Sequence, residues 1–228
     1  MPERKQSRGT CMYCGQEMTK SGITKHLPVC ARRQAVIAEA EAKTGDTQKL
    51  YHLRVQDAYS SVFWLDLEMN GNARLKELDE YLRAIWLECC GHLSEFTAGR
   101  GWSEHKVAMS RRAEQVFAPG VELTHIYDFG TTSETLITCV SVREGKPTTR
   151  HPIALMARNV QPEAACMVCG QPAAWLCMEC IYEYDESGFL CDEHVQDHPH
   201  DNYGEPFPLV NSPRVGMCGY TGPAEPPY

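Results

Sequence analysis

Three observations in the sequence predict an α+β fold: an antiparallel sheet with a helix packed on one face, flanked by an N-terminal zinc finger and a C-terminal zinc-binding unit. Apolar and polar residues alternate over several short stretches near the middle of the chain. Between them, apolar residues recur at three- and four-residue steps, and cysteine and histidine crowd both ends. These shifts divide the chain into a finger over 1–34, a helical linker over 35–48, a central domain over 49–160 and a cysteine/histidine-rich unit over 161–228.

The finger is read from "CMYCGQEMTKSGITKHLPVC", where Cys11, Cys14, His26 and Cys30 are spaced C-x2-C-x11-H-x3-C. A tight knuckle followed by two ligands one helical turn apart can close a tetrahedron around zinc. So short a unit has almost no core of its own, and Met18 and Ile23 sit where apolar plugs beside the metal belong. Pro28 lies between His26 and Cys30 and removes a backbone donor, so the turn carrying both is expected to be kinked or short. The competing reading is a pair of unrelated thiol groups in a loose terminus.

Next, "ARRQAVIAEAEAK" is rich in Ala and Glu and predicts a mostly exposed helix ending near Thr44–Asp46. In the central domain Tyr51, Leu53 and Val55 alternate with polar residues, as do Phe63, Leu65, Leu67 and Met69, which predicts two half-buried strands. After the "NGNA" turn, Leu75, Leu78, Leu82, Ile85, Trp86 and Cys89 mark a helix with one apolar face. "VELTHIYDFG" and "ETLITCVSV" give two further strands. Asp128 and Gly130 between them read as an Asx-type turn with a positive-φ position.

The stretches "VFWLDLEMNGNARLKELDEYLRAIW", "HLSEF" and "YDFG" resemble the Ri-plasmid ORF-three-like proteins, also described as TnpR-like passenger proteins of insertion elements. The resemblance covers residues 49–146. It implies an α+β fold in prokaryotic proteins, often carried on plasmids or other mobile elements, with no established catalysis. An acid, an aromatic and a histidine usually follow "YDFG" in that family; Thr131, Ser133 and Thr135 stand there here.

From Cys166 the ligands become dense: Cys166, Cys169, Cys177, Cys180, Cys191, His194, His198 and His200, with Cys218 further on, nine candidates for the eight places around two ions. In a simple pair of knuckles Cys166, Cys169, Cys177 and Cys180 share one ion. The spacing resembles cross-braced B-box modules, which bind proteins. By that resemblance Cys166, Cys169, Cys191 and His194 form one site, and Cys177, Cys180 and two of His198, His200 and Cys218 form the other. With the finger this makes about three structural zinc ions. The tail after the last histidine is rich in Pro, Gly and Asn and predicts an irregular, wrapped segment.

Composition bounds the rest. At 228 residues, 43% hydrophobic and 23% charged, the chain can hold one sizeable core with small satellites. It has no run of about eighteen apolar residues and no apolar leader in "MPERKQSRGT", which places it in the cytoplasm with no membrane partner. Twelve cysteines without an export signal favour metal over disulfides. Cys89, Cys90 and Cys139 fall outside the spaced groups and read as buried apolar residues, and Cys89 or Cys90 with His92 as a nucleophile and base is the weaker reading. His105, His125 and His151 are isolated histidines, and no phosphate loop or paired-carboxylate motif is present.

No catalytic residue and no small-molecule substrate is therefore expected. Two kinds of binding remain. One is a protein-interaction adaptor. The other is a nucleic-acid accessory factor using Lys20, Lys25, Arg32 and Arg33, because residues 1–34 carry seven basic against two acidic side chains, while residues 162–228 carry one against eleven.

Overall fold

A computed structural model describes residues 7–200 and 202–228. In chain order it contains β1 (Arg8–Cys11), β2 (Glu17–Thr19), α1 (Lys20–His26), α2 (Ala31–Ala42), β3 (Gln48–Asp57), β4 (Trp64–Asn70), α3 (Leu75–Leu82), β5 (Ser94–Ala98), β6 (Lys106–Val107), α4 (Ala113–Val116), β7 (Glu122–Tyr127), β8 (Ser133–Gly145), β9 (Ile153–Asn159), β10 (Trp175–Leu176), α5 (Met178–Tyr184), β11 (Phe189–Leu190) and β12 (Phe207–Pro208). Nine strands form one antiparallel sheet in the order β2-β1-β9-β4-β3-β8-β7-β5-β6, and β11-β10-β12 form a small second one.

The large sheet is wider than the sequence pattern suggests, because the finger hairpin extends it. β1 pairs with β9, with Gly9 opposite Asn159 and Cys11 opposite Ala157, so one sheet crosses the boundary drawn at residue 34. No apolar alternation announces a strand as short as β1, and backbone pairing with the β9 edge supplies what its side chains do not.

Pleating sends Tyr51, Leu53 and Val55 of β3 and Leu65, Leu67 and Met69 of β4 to one face, where they share a buried cluster with Leu75, Leu78 and Leu82 of α3 and with Ile85 and Trp86. Glu77 at the third position of α3 accepts the Arg74 N–H at 2.7 Å, which fixes the start of this helix. The helix does not run on to Cys89. A π-helical turn over Arg83–Leu87 ends it, and Glu88 turns to extended backbone at ψ 101°. Cys89 and Cys90 thus leave the helix, contrary to the reading of both as buried helix residues.

The opposite face is buried too, although its residues are polar. β4 was expected to be half-buried, yet Trp64, Asp66 and Glu68 are covered. His52 and Arg54 of β3 donate to Asp66 at 2.6 and 2.9 Å, and Arg54 reaches Thr24 of α1 at 2.9 Å. Arg33 of α2 donates to Glu68 at 3.1 Å, and Arg143 of β8 grips the same carboxylate at 2.7 and 2.9 Å. The first two helices therefore lie over a layer of paired charges, and each buried charge has a partner. Removing Glu68 strands Arg33. Glu68→Ala is expected to lower stability by about 3 kcal/mol, the low end for a broken buried pair because Arg143 can reach water; urea denaturation reads this, and an unchanged midpoint would show the charges to be solvated after all.

At the β7–β8 turn, the Gly130 N–H donates to Asp128 Oδ1 at 2.9 Å, the Asx geometry. The positive φ falls on Asp128 itself, at 63°, not on Gly130. Of the isolated histidines, His125 is fully buried and donates to Asp79 at 2.7 Å, His105 lies on an exposed loop beside Ser103, and His151 stacks on Tyr228 at 4.0 Å.

Candidate metal centres

Among the described residues, four groups bring cysteine and histidine ligand atoms within 4.8 Å of one another. All twelve cysteines are free thiols. A tetrahedral zinc site sets sulfur–sulfur edges of about 3.8 Å and sulfur–nitrogen edges of about 3.6 Å, given the usual bond lengths.

The first group is Cys11, Cys14, His26 and Cys30, with Cys11 Sγ 4.0 Å from Cys30 Sγ and Cys14 Sγ 3.3 Å from His26 Nε2. The knuckle is built by the Gly15 N–H, which closes back on the Cys11 carbonyl at 2.8 Å, with Gly15 at φ 73°. His26 ends α1, and the chain then tightens into a 3-10 turn over Leu27–Val29 that accommodates Pro28 and delivers Cys30 to the start of α2. Burial pushes the Cys30 thiol up, but the Arg33 N–H and the neighbouring sulfurs outweigh it and hold the thiol below its usual range. Ile23 is fully buried beside the site together with Leu27, Trp64, Met156 and Ala157, and Met18 packs against them. The main sheet thus supplies the core that the finger lacks.

The second and third groups alternate along the chain: Cys166, Cys169, Cys191 and His194 in one, Cys177, Cys180, His198 and His200 in the other. The simple knuckle pair is not what forms, since Cys166 and Cys169 lie in a different group from Cys177 and Cys180. Cys191 Sγ stands 3.8 Å from Cys169 Sγ and 3.1 Å from His194 Nδ1. Cys180 Sγ stands 3.4 Å from His198 Nε2 and 3.1 Å from His200 Nδ1. The segment "CMVCGQ" folds as "CMYCGQ" does, with the Gly170 N–H on the Cys166 carbonyl at 2.8 Å and Gly170 also at φ 73°. The other knuckle uses a helix start: Cys177 caps α5, its sulfur taking the Cys180 N–H at 3.4 Å.

Cys218 belongs to neither of these groups, which corrects its inclusion among the C-terminal ligands. It joins Cys89, Cys90 and His92 in a fourth group that the sequence reading missed. Cys90 Sγ is 3.6 Å from Cys89 Sγ, 2.9 Å from His92 Nε2 and 3.4 Å from Cys218 Sγ, and His92 Nε2 is 3.3 Å from Cys218 Sγ. Two further sulfurs stand against Cys90 beside the His92 contact, so four candidate ligand atoms meet here and not a thiol and an imidazole alone. Two signals pointed here: "CCGH" supplies three ligands in four residues and lacks one, while the C-terminal run has one too many.

Around this group Arg214 is fully buried and donates to Asp128 Oδ2 at 2.7 Å, to Ser133 Oγ at 2.8 Å, to the Thr131 carbonyl at 2.9 Å and to Cys89 Sγ at 3.3 Å. Burial pushes the Cys89 thiol up, and Arg214 with the Tyr127 hydroxyl outweighs it, so the thiol sits below its usual range. The Cys218 and Cys89 thiols crowd Cys90, which is pushed up to about 12. Three thiols so close cannot all ionise without a cation to hold them.

The basic strip proposed for nucleic acid is broken up. Arg33 is buried on Glu68, and Lys20 donates to Gln56; burial first and then the Arg54 charge push the Lys20 ammonium down to about 8. Lys25 and Arg32 stay exposed.

Fold and site together define an α+β protein, mostly antiparallel sheet, with four cysteine/histidine groups of metal-binding geometry. No family model matches the chain, and no curated protein does. Among solved structures it is similar to a protein of unknown function from Methanosarcina mazei Go1, at 18% identity and a TM-score of 0.42, over 54% of this chain and 76% of the other. Among the described residues, no helix is long and apolar enough to cross a membrane.

Proposed function

We propose that the protein is a non-enzymatic, cytoplasmic adaptor in which zinc staples the fold and the C-terminal unit receives a basic segment of a protein partner. Each ligand group supplies four protein atoms, which fills a tetrahedral ion and leaves no position for a reacting water. The observation that carries the reading is a set of exposed tyrosines on this acidic unit: Tyr182, Tyr184 and Tyr203 are 57%, 55% and 44% exposed. They stand beside exposed Glu183, Asp185 and Glu186, and the one arginine of residues 162–228, Arg214, is turned inward on Asp128. Exposed aromatic rings supply contact area, and uncompensated acids select a basic partner. A setting on a plasmid or other mobile element is carried over from the motif resemblance in residues 49–146.

The test is affinity capture with the full-length protein and a Tyr182→Ser/Tyr184→Ser variant. We expect a protein with a lysine- or arginine-rich segment that the wild type retains, releases at moderate salt and loses in the variant; identical captures by both would overturn the reading. Because Lys20 and Arg33 are engaged internally, the protein is also expected to pass through a heparin column. Retention that falls with salt and vanishes in Lys25→Ala/Arg32→Ala would instead favour nucleic acid.

A further inference from the structure

We propose that Cys89, Cys90, His92 and Cys218 bind a fourth zinc ion, that this ion pins the C-terminal tail to the central domain, and that it is the exchangeable ion of the four. The proposal rests on the zinc reading above. Its first support is distance: ligand separations of 2.9 to 3.6 Å lie close to the tetrahedral edges, and the group supplies the three sulfurs and one nitrogen of a Cys3His site. The second is origin. Three ligands come from one turn after the central helix, where Gly91 at φ 75° brings His92 back over the cysteines. The fourth arrives from the tail on Cys218, itself at φ 50°, across the seam where Ser212 Oγ donates to the Trp86 carbonyl at 2.6 Å and Arg214 to Asp128.

The third support is exposure. Each of the other groups has at least two buried ligands: Cys11 and Cys30, Cys166 and Cys191, Cys177 and Cys180. The fourth has none, and Cys90 and Cys218 face solvent. An ion leaves a thiolate site when an incoming ligand or a proton displaces a donor, and access to solvent governs that step. Loss of Cys218 leaves three ligands, an open set that does not retain the ion through purification, and disturbs no knuckle, whereas release in the other groups disrupts a knuckle and the packing on it.

Elemental analysis and a competing chromogenic chelator, applied to full-length protein purified under reducing conditions with zinc as the probe, test this. We expect four zinc per chain, one of them released at least about tenfold faster than the rest, as its open shell implies. In Cys218→Ser, and independently in the exposed Cys90→Ser, three zinc should remain and the fast phase should be gone. Three zinc in the wild type, with no change in Cys218→Ser, would remove the fourth site and leave the other three standing. Loss of two ions in Cys218→Ser would return Cys218 to the C-terminal unit, and four ions leaving in one phase would overturn the exchange. A Cys90–Cys218 disulfide that persists through purification under reducing conditions would sink the site, and protein without any zinc would sink the zinc reading as a whole.

Discussion

Full-length protein stripped of metal under reducing conditions is expected to lose the structure of residues 166–200 while the main sheet survives. Between residues 166 and 200 the buried apolar side chains besides the ligands are Leu176, Met178 and Leu190. The cluster of the C-terminal unit consists of Cys177, Cys180 and Leu190, with Met167, Trp175 and Val195 packed against it, and its three strands have two residues each. A buried leucine or methionine contributes about 2 kcal/mol, so Leu176, Met178 and Leu190 together contribute about 6 kcal/mol, whereas a structural zinc site contributes on the order of 10 kcal/mol. With zinc in both ligand groups, as proposed, the metal term is the larger. The main sheet needs no such help, because its cluster runs from Tyr51 to Ile153 and includes Trp86, Phe96 and Tyr127. The finger should fall between these limits: it loses its ion, but β1 remains paired with β9 and Ile23 remains packed on Trp64 and Met156. Hydrogen exchange read by mass spectrometry, with and without chelator, orders the three regions. Undiminished protection over residues 166–200 in the metal-free protein would refute the dominance of the metal.

The same contrast explains what the sequence could disclose. Knuckles are local, so Cys11–Cys14 and Cys166–Cys169 are legible from spacing and from the glycine that closes each turn. The strand pattern of Leu65, Leu67 and Met69 is legible because pleating alone fixes which side chains share a face. What lies over the other face is not fixed by the strand: Asp66 and Glu68 read as solvent-facing, yet His52, Arg54, Arg33 and Arg143 reach them from three other elements. The fourth ligand group was hidden for a related reason. Helical periodicity runs on through Cys89, and nothing local to residue 89 marks the π-helical turn that releases it. Proximity along the chain groups Cys218 with the C-terminal ligands, and only the folding back of the tail brings it to Cys89, Cys90 and His92.

Replacing Arg214 is expected to be the most damaging single substitution outside the ligands. Its side chain is fully buried, and it holds five neighbours: the Asp128 carboxylate, the Ser133 hydroxyl, the Thr131 carbonyl, the Cys89 sulfur and the face of Tyr127, 4.8 Å from the ring centroid. Arg214→Met keeps most of the stem volume but leaves the buried Asp128 without its cation. A buried ion pair that loses one partner costs about 3–5 kcal/mol, because the remaining charge must be solvated by rearrangement or neutralised by a proton. The double variant Arg214→Met/Asp128→Asn removes both charges and should recover part of that loss, so the cycle separates the stranded charge from lost packing. Thermal and urea denaturation of the four proteins read the energies. If Arg214→Met alone proved near neutral, the tail would not be seated in the central domain, and the route by which Cys218 reaches Cys89, Cys90 and His92 would have to be drawn differently.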